Sequence, residues 1–388
     1  MQRVAQDWLV LELTHGSGTA LGIAAGLQFL PQLLFSLWGG VIADRYRKRT
    51  ILLTTQAIMG MLALILGVLA LTGAVAVWQV YLLAFALGMV AVVDNPARQT
   101  FVAEMVGSEG MANAIALNSA TFNLARIVGP AAAGLVIAAV GTPAAFLVNA
   151  ASYGAVLAGL KLMRESELRP LARAPKAPGQ LKETFGYVRA RPDLWLTLVL
   201  VFFVATFGMN FQVTTALMSK GVFGTGASEF GLASAMYALG ALGGALAAAR
   251  RSRPSMRLML VTAFAFGVLE AATGLMPAFW SFLAMLVPTG MAVLMFTTTA
   301  NSTTQLSTTP AVRGRVMGLY MFVFLGGAPL GSPLVGWAAE QFGARAGLIG
   351  GGVISAAAAA GVALLLARAR GARLRSYLRP GTHARAQA

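Results

Sequence analysis

Between Gly39 and Arg49 the chain reads Gly-Gly-Val-Ile-Ala-Asp-Arg-Tyr-Arg-Lys-Arg, a dense charge cluster set between two apolar stretches. Leu21 to Ala43 and Ile51 to Leu71 carry no charged residue, and each is long enough to cross roughly 30 Å of hydrocarbon as a helix. Asp44, Arg45, Arg47, Lys48 and Arg49 must stay in water, so this is a short turn joining two membrane helices on one face of a bilayer. With 57% hydrophobic and 11% charged residues over 388 positions, and a mean hydropathy of +0.74, the rest of the chain fits a polytopic membrane protein.

Cutting the sequence at its polar breaks predicts helices over 1–13, 20–43, 50–72, 77–97, 112–140, 144–162, 194–217, 229–249, 256–276, 279–305, 314–339 and 345–367. Alternate connections take all but four of the 29 basic residues, leaving Arg3, Arg126, Lys220 and Arg345. Basic residues are retained on the cytoplasmic side, so the C-terminus is expected there. The net charge of +16 is then topology rather than a nucleic-acid footprint. With no cysteine and only His15 and His383, neither a metal site nor a cofactor is expected.

The charged stretch at the midpoint divides the helices six and six. The expected organisation is an N-terminal bundle (1–162), a cytoplasmic linker (163–193), a C-terminal bundle (194–367) and a basic cytoplasmic tail (368–388). A shift of about 204 to 206 residues superposes Gly39-Gly40 on Gly243-Gly244, Arg47 and Arg49 on Arg251 and Arg253, and Asn95 and Gln99 on Asn301 and Gln305. The same shift predicts that the first helix lacks about ten residues, through a start codon placed downstream or a truncated gene.

On these residues the chain resembles the major facilitator superfamily, whose signature turn has a glycine, an aspartate four residues later and a basic cluster. Gly40, Asp44, Arg45, Lys48 and Arg49 match it, with Arg47 standing where the family has its second glycine. Trp8 to Thr14, Asp94 to Gln99 and Arg126 to Pro130 resemble the bacterial exporter branch that holds enterobactin and macrolide efflux proteins. The resemblance implies an all-α fold of twelve transmembrane helices in two six-helix halves, the first helix truncated, in a bacterial inner membrane. It also implies export of a small amphipathic drug or siderophore driven by protons. The expected partners are the lipid bilayer, a small-molecule substrate and protons, with the chain a monomer.

The residues themselves suggest the roles. Asp44 can accept hydrogen bonds from the free amides that start the eleventh helix and so latch the halves together, with Asp94 and Arg98 in the same ion-pair network. Arg126 lies about 21 Å into its helix, near midplane, and Asp7 with Arg126 is the candidate pair for proton coupling. Arg3 and Asp7 are spaced i, i+4 and can also pair on one face. Glu270 and Glu12 are placed toward the outer helix ends, without a role. Gly129, Pro130 and Gly134 predict a bend and a close helix contact. Polar side chains on apolar helices are the candidates for a substrate cavity: Gln28, Gln32, Asn118, Asn123, Asn210, Gln212, Asn301 and Gln305. Phe207, Met209, Phe211 and Met295 supply an adaptable apolar lining.

An importer of a small metabolite and a transport-inactive scaffold or sensor remain alternatives on sequence alone. An enzyme would need a convergent set of acids, nucleophiles or metal ligands that these helices do not supply.

Overall fold

Apolar helices that satisfy their own backbone are what such a sequence can build in lipid, and helices are what a computed structural model of the chain contains. It describes residues 1–106, 110–164, 181–250 and 255–377. The order is α1 (Gln2–Leu13), α2 (Gly18–Arg45), α3 (Lys48–Leu71), α4 (Val77–Val106), α5 (Met111–Val140), α6 (Thr142–Leu162), α7 (Leu181–Arg189), α8 (Pro192–Phe203), α9 (Phe211–Leu217), α10 (Ala227–Ala249), α11 (Met256–Gly274), α12 (Phe279–Leu306), α13 (Pro310–Phe342) and α14 (Ala344–Tyr377). Among the described residues eleven segments are long and apolar enough to cross a membrane, α8 and α9 counting as one, and the short α1 adds to them. Arg169, Arg173, Lys176, Arg251, Arg253, Arg379, His383 and Arg385 lie outside the described residues, so the Arg47 and Arg49 repeat match finds no structural counterpart there.

Several boundaries move from their sequence-based positions, each for a local reason. The turn between α2 and α3 shrinks to Tyr46 and Arg47, because the charges around it belong to the helix ends. Arg47, with φ −63° and ψ 125°, is ordinary extended backbone, so a side chain in place of the family's glycine introduces no strain. Helix α4 passes through Pro96 to Val106, where the Thr100 hydroxyl donates to the Pro96 carbonyl at 2.9 Å and no breaker follows. Helix α14 runs past position 367 into what the sequence assigned to a tail, since an Ala-, Leu- and Arg-rich run propagates a helix after it leaves hydrocarbon. The linker contains α7, which buries Thr184 and Val188.

The span expected at 194–217 starts at Pro192, and a π-helical stretch, Val204–Gly208, interrupts it. At the break the Asn210 side-chain amide donates to the Thr206 carbonyl at 2.7 Å, and the Ser332 hydroxyl of α13 donates to Asn210 Oδ1 at 2.8 Å. A side chain from another helix thus completes the hydrogen bonding that an α-helical ladder would have supplied alone.

Helices α1 to α6 pack mainly on one another, as do α8 to α14. The two sets meet chiefly through α2 against α13 and α5 against α10, contacts that the internal repeat relates to each other. Within each half the repeat is also seen in backbone approaches: Gly39 sits on the Val92 carbonyl, and Gly244 sits on the Met291 carbonyl. The structural register therefore pairs Gly39 with Gly244 rather than with Gly243.

A candidate substrate cavity between two unlike ends

The end of the molecule away from the Tyr46–Arg47 turn is closed. Along α2, Gly18, Gly22 and Gly26 face Gly336, Ser332, Pro333 and Pro329 of α13 so closely that a methyl on Gly22 would come 2.9 Å from the Pro333 Cα. Along α5, Gly134 faces α10: a methyl there would lie 2.5 Å from the Ala227 carbonyl, and one on Gly231 would lie 2.6 Å from the Pro130 carbonyl. Trp8 stacks on Phe230 at 6.2 Å, within a core that draws buried residues from both halves. Pro130 and Gly134 thus stand at this inter-half contact, within a helix that continues unbroken, while Gly129 faces the amino group of Met1 in its own half.

Polar groups seal the rim. The Glu340 carboxylate at the end of α13 accepts hydrogen bonds from the Ser17 hydroxyl at 2.9 Å and the Thr19 amide at 2.8 Å, capping the first turn of α2. The Lys220 ammonium donates to the Leu11 carbonyl at 2.8 Å and lies over the Trp8 ring.

Toward the basic end the same helices part. Gly40 lies on the α2 face that carries Gly26 and Leu33, yet a methyl there would meet nothing within 4 Å. Leu34, Trp38, Val41 and Ile42 of α2, with Ile115, Leu117, Phe122 and Leu124 of α5, are exposed. At the level where the helices diverge lies a cavity of about 540 Å³. Arg3, Phe29, Phe122 and Arg126 form its N-terminal wall, and Asn210, Phe211, Gln212, Tyr237, Phe324 and Ser332 much of its C-terminal wall.

Of the sequence-predicted cavity residues, Asn210 and Gln212 line this space, as do Met209 and Phe211. Gln28, Gln32, Asn118, Asn123, Asn301 and Gln305 do not. The Gln28 side-chain Oε1 is buried without a partner, Asn123 donates to the Ser119 carbonyl on its own helix at 2.8 Å, and Gln305 donates to Asn301 at 2.5 Å on an exposed part of α12. Asn118 is exposed one turn from Phe122, toward the basic end.

The expected Asp7–Arg126 pair does not form. Asp7 is 0% exposed, and neither carboxylate oxygen has a hydrogen-bond partner. Arg126 leans one turn toward the basic end and lies over Phe122 at 5.9 Å. Counting residues gives a side chain's depth along the helix axis but not its direction around it. Glu270, expected near water, is instead 1% exposed, with Oε2 unpartnered beside Gly208 and Ser355.

At the basic end the signature residues hold the N-terminal half together. Asp94, 0% exposed, accepts from Thr55 at 2.7 Å and Gln56 at 2.8 Å and forms an ion pair with Arg98. Lys48 approaches Glu104 at 3.6 Å, and Arg49 donates to the Leu160 and Lys161 carbonyls at the end of α6. Asp44 and Arg45 are exposed on the last turn of α2, next to Gly40.

The family model for transmembrane secretion effectors matches residues 1–379. The chain is similar to a staphyloferrin A transporter of Staphylococcus aureus, 27% identical with 88% of this chain and 86% of the relative covered. It is also 28% identical to the multidrug efflux pump Tap of Mycolicibacterium fortuitum (88% and 86% covered) and 26% identical to an enterobactin exporter of Shigella flexneri (84% and 77% covered). Among solved structures, a bacterial homologue of the lysosomal transporter Spinster shares the fold, with a TM-score of 0.71 at 17% identity over 94% of this chain and 93% of that one. Helical architecture, inter-half cavity and whole-chain match agree: the chain is a transporter of the major facilitator superfamily and belongs to its family of transmembrane secretion effectors.

Proposed function

We propose that this protein is a secondary exporter of the bacterial inner membrane, carrying a small amphipathic molecule out of the cytoplasm by alternating access, with inward proton flow as the driving force. One observation carries the reading: a cavity between two repeated halves, sealed by backbone contact at one end and open at the end that bears the basic turn. The positive-inside rule makes the open end cytoplasmic. Similarity to efflux pumps and siderophore transporters supports the outward direction.

In this reading the cytoplasmic end closes when Asp44 accepts the free amides at the start of α13, which frees the outer rim to part. Two buried carboxyls with unpartnered oxygens, Asp7 in the N-terminal half and Glu270, at Oε2, in the C-terminal half, are the places to hold the coupling proton. A potential of 100 mV supplies about 2.3 kcal/mol per proton, enough for roughly a fifty-fold gradient of substrate.

The test is accumulation of a fluorescent drug panel and a catecholate siderophore in cells lacking their own exporters, with and without an uncoupler. Lower accumulation that the uncoupler abolishes, and that Asp44→Asn reduces about tenfold at equal membrane abundance, is the expected result. Unchanged accumulation of every compound, with the protein in the membrane, defeats the export reading.

A further inference from the structure

The charges that face the cavity are of one sign. Arg3 and Arg126 line it, from α1 and α5, and among the described residues no aspartate or glutamate lines it. A guanidinium deep in a membrane protein is expensive and is kept where something pairs with it. Among the described residues neither arginine makes a salt bridge. Arg3 lies over the Phe29 ring at 4.6 Å with its Nε buried and unpartnered, and Arg126 lies over Phe122. Asp7 is within electrostatic reach of Arg3 but forms no hydrogen bond with it, and Arg126 is within electrostatic reach of the Tyr237 phenol on the opposite wall.

The opposite wall is neutral and aromatic. Phe211 stacks on Tyr237 at 4.2 Å, Phe324 stands beside them, and Asn210, Gln212 and Ser332 present amide and hydroxyl groups. Two cations on one side and stacked rings on the other fit a molecule with an acidic end and an aromatic or apolar body.

We infer that the transported substrate is an organic anion whose carboxylate or comparable acidic group is held by Arg3 and Arg126, with its apolar body against Phe211, Tyr237 and Phe324. The guanidinium forks match carboxylate geometry in two parallel hydrogen bonds, which an ammonium would not. A lipophilic cation, the other common class of amphipathic drug, would meet two like charges and no acid on the cavity wall to pair with. The inference deepens the export reading and rests on it for direction, but the charge preference is separable.

Carboxyfluorescein, an aromatic polycarboxylate, and rhodamine 6G, a cation of similar size, serve as probes. Binding to the purified full-length protein in nanodiscs is read by fluorescence anisotropy, and movement is read in proteoliposomes under an imposed pH gradient. Carboxyfluorescein is expected to bind roughly tenfold or more tightly than rhodamine 6G. Arg126→Gln should weaken it by roughly tenfold, and Arg126→Lys by less. Arg126→Glu should reverse the preference toward rhodamine 6G, a gain that a merely misfolded variant could not show. Equal binding of the two dyes, no binding of carboxyfluorescein, or unchanged carboxyfluorescein affinity in Arg126→Gln overturns the inference. Export of rhodamine 6G without carboxyfluorescein would leave the exporter and remove the anion site. Arginine-dependent carboxyfluorescein binding without movement would leave the anion site and remove the exporter.

Discussion

The two ends of the α2–α13 pair are built on opposite plans. At the closed end glycines bring backbones together, and Glu340 of the C-terminal half caps the first turn of α2 in the N-terminal half. At the open end three contacts of the basic turn and its neighbours lie within one half: Asp94 with Arg98, Lys48 with Glu104 and Arg49 with the end of α6. Glu340 acts on α2 as Asp44 is proposed to act on α13, a carboxylate of one half on the helix start of the other. The difference teaches that charge density is a poor guide to where the halves are joined. Close packing of small residues joins them, and a single carboxylate completes the seal.

The largest effect should come from spoiling the close packing. Gly22→Leu puts a branched side chain where even a methyl would meet the α13 backbone, so the outer end cannot shut and transport is lost. Because the chain has no cysteine, a single cysteine placed at Leu217, near the closed rim, reports the seal through its reaction with a membrane-impermeant maleimide. Gly22→Leu should raise that reactivity at least tenfold, toward the rate of an exposed thiol. Wild-type reactivity in this variant would show that the glycines are not the seal.

Removing the rim carboxylate should do less, since it is exposed and screened by salt. Glu340→Gln is expected to raise Leu217Cys reactivity about threefold, while Asp44→Asn lowers it by a similar factor by favouring the state seen here. Shifts of the same sign in both variants would break the reciprocity of the two carboxylates. The smallest change belongs to Lys220→Ala, whose partly exposed bond to the Leu11 carbonyl should be worth about a twofold change in reactivity. A larger change than that of Glu340→Gln would make Lys220, and not the carboxylate, the main polar fastening.

Much of this architecture was legible because hydrocarbon sorts residues by charge: the gap between Ala43 and Ile51 and the charges near Arg315 mark helix ends whatever the helices touch, whereas Arg98 lies inside α4, which runs on to Val106. The nine residues of α7 escaped because a short amphipathic helix in a charged stretch has no such border. The break at Val204–Gly208 was illegible for a different reason. Asn210 supports it only because Ser332, distant in sequence, fixes the orientation of the Asn210 amide.

The candidate site divided in the same way. Asn210 and Gln212 were found because polar groups on an apolar helix need partners or water, but the same signal selected Asn301 and Gln305, which satisfy each other. Arg3 and Arg126 were visible as rare charges. Their common role was not, because which way a side chain turns about a helix axis depends on neighbours that sequence spacing does not specify.

The two-residue connection at Tyr46 and Arg47 also limits how the N-terminal half can move. So short a tether leaves α2 and α3 no freedom to slide past each other by a helical turn, roughly 5.4 Å. Lys48 ties α3 to α4, and Arg49 ties it to α6, so a pull on the basic end of α2 is passed to three further helices at once. The half should respond as one stiff lever with its fulcrum at the glycine contact, and a small displacement at the rim would be multiplied along the length of α2.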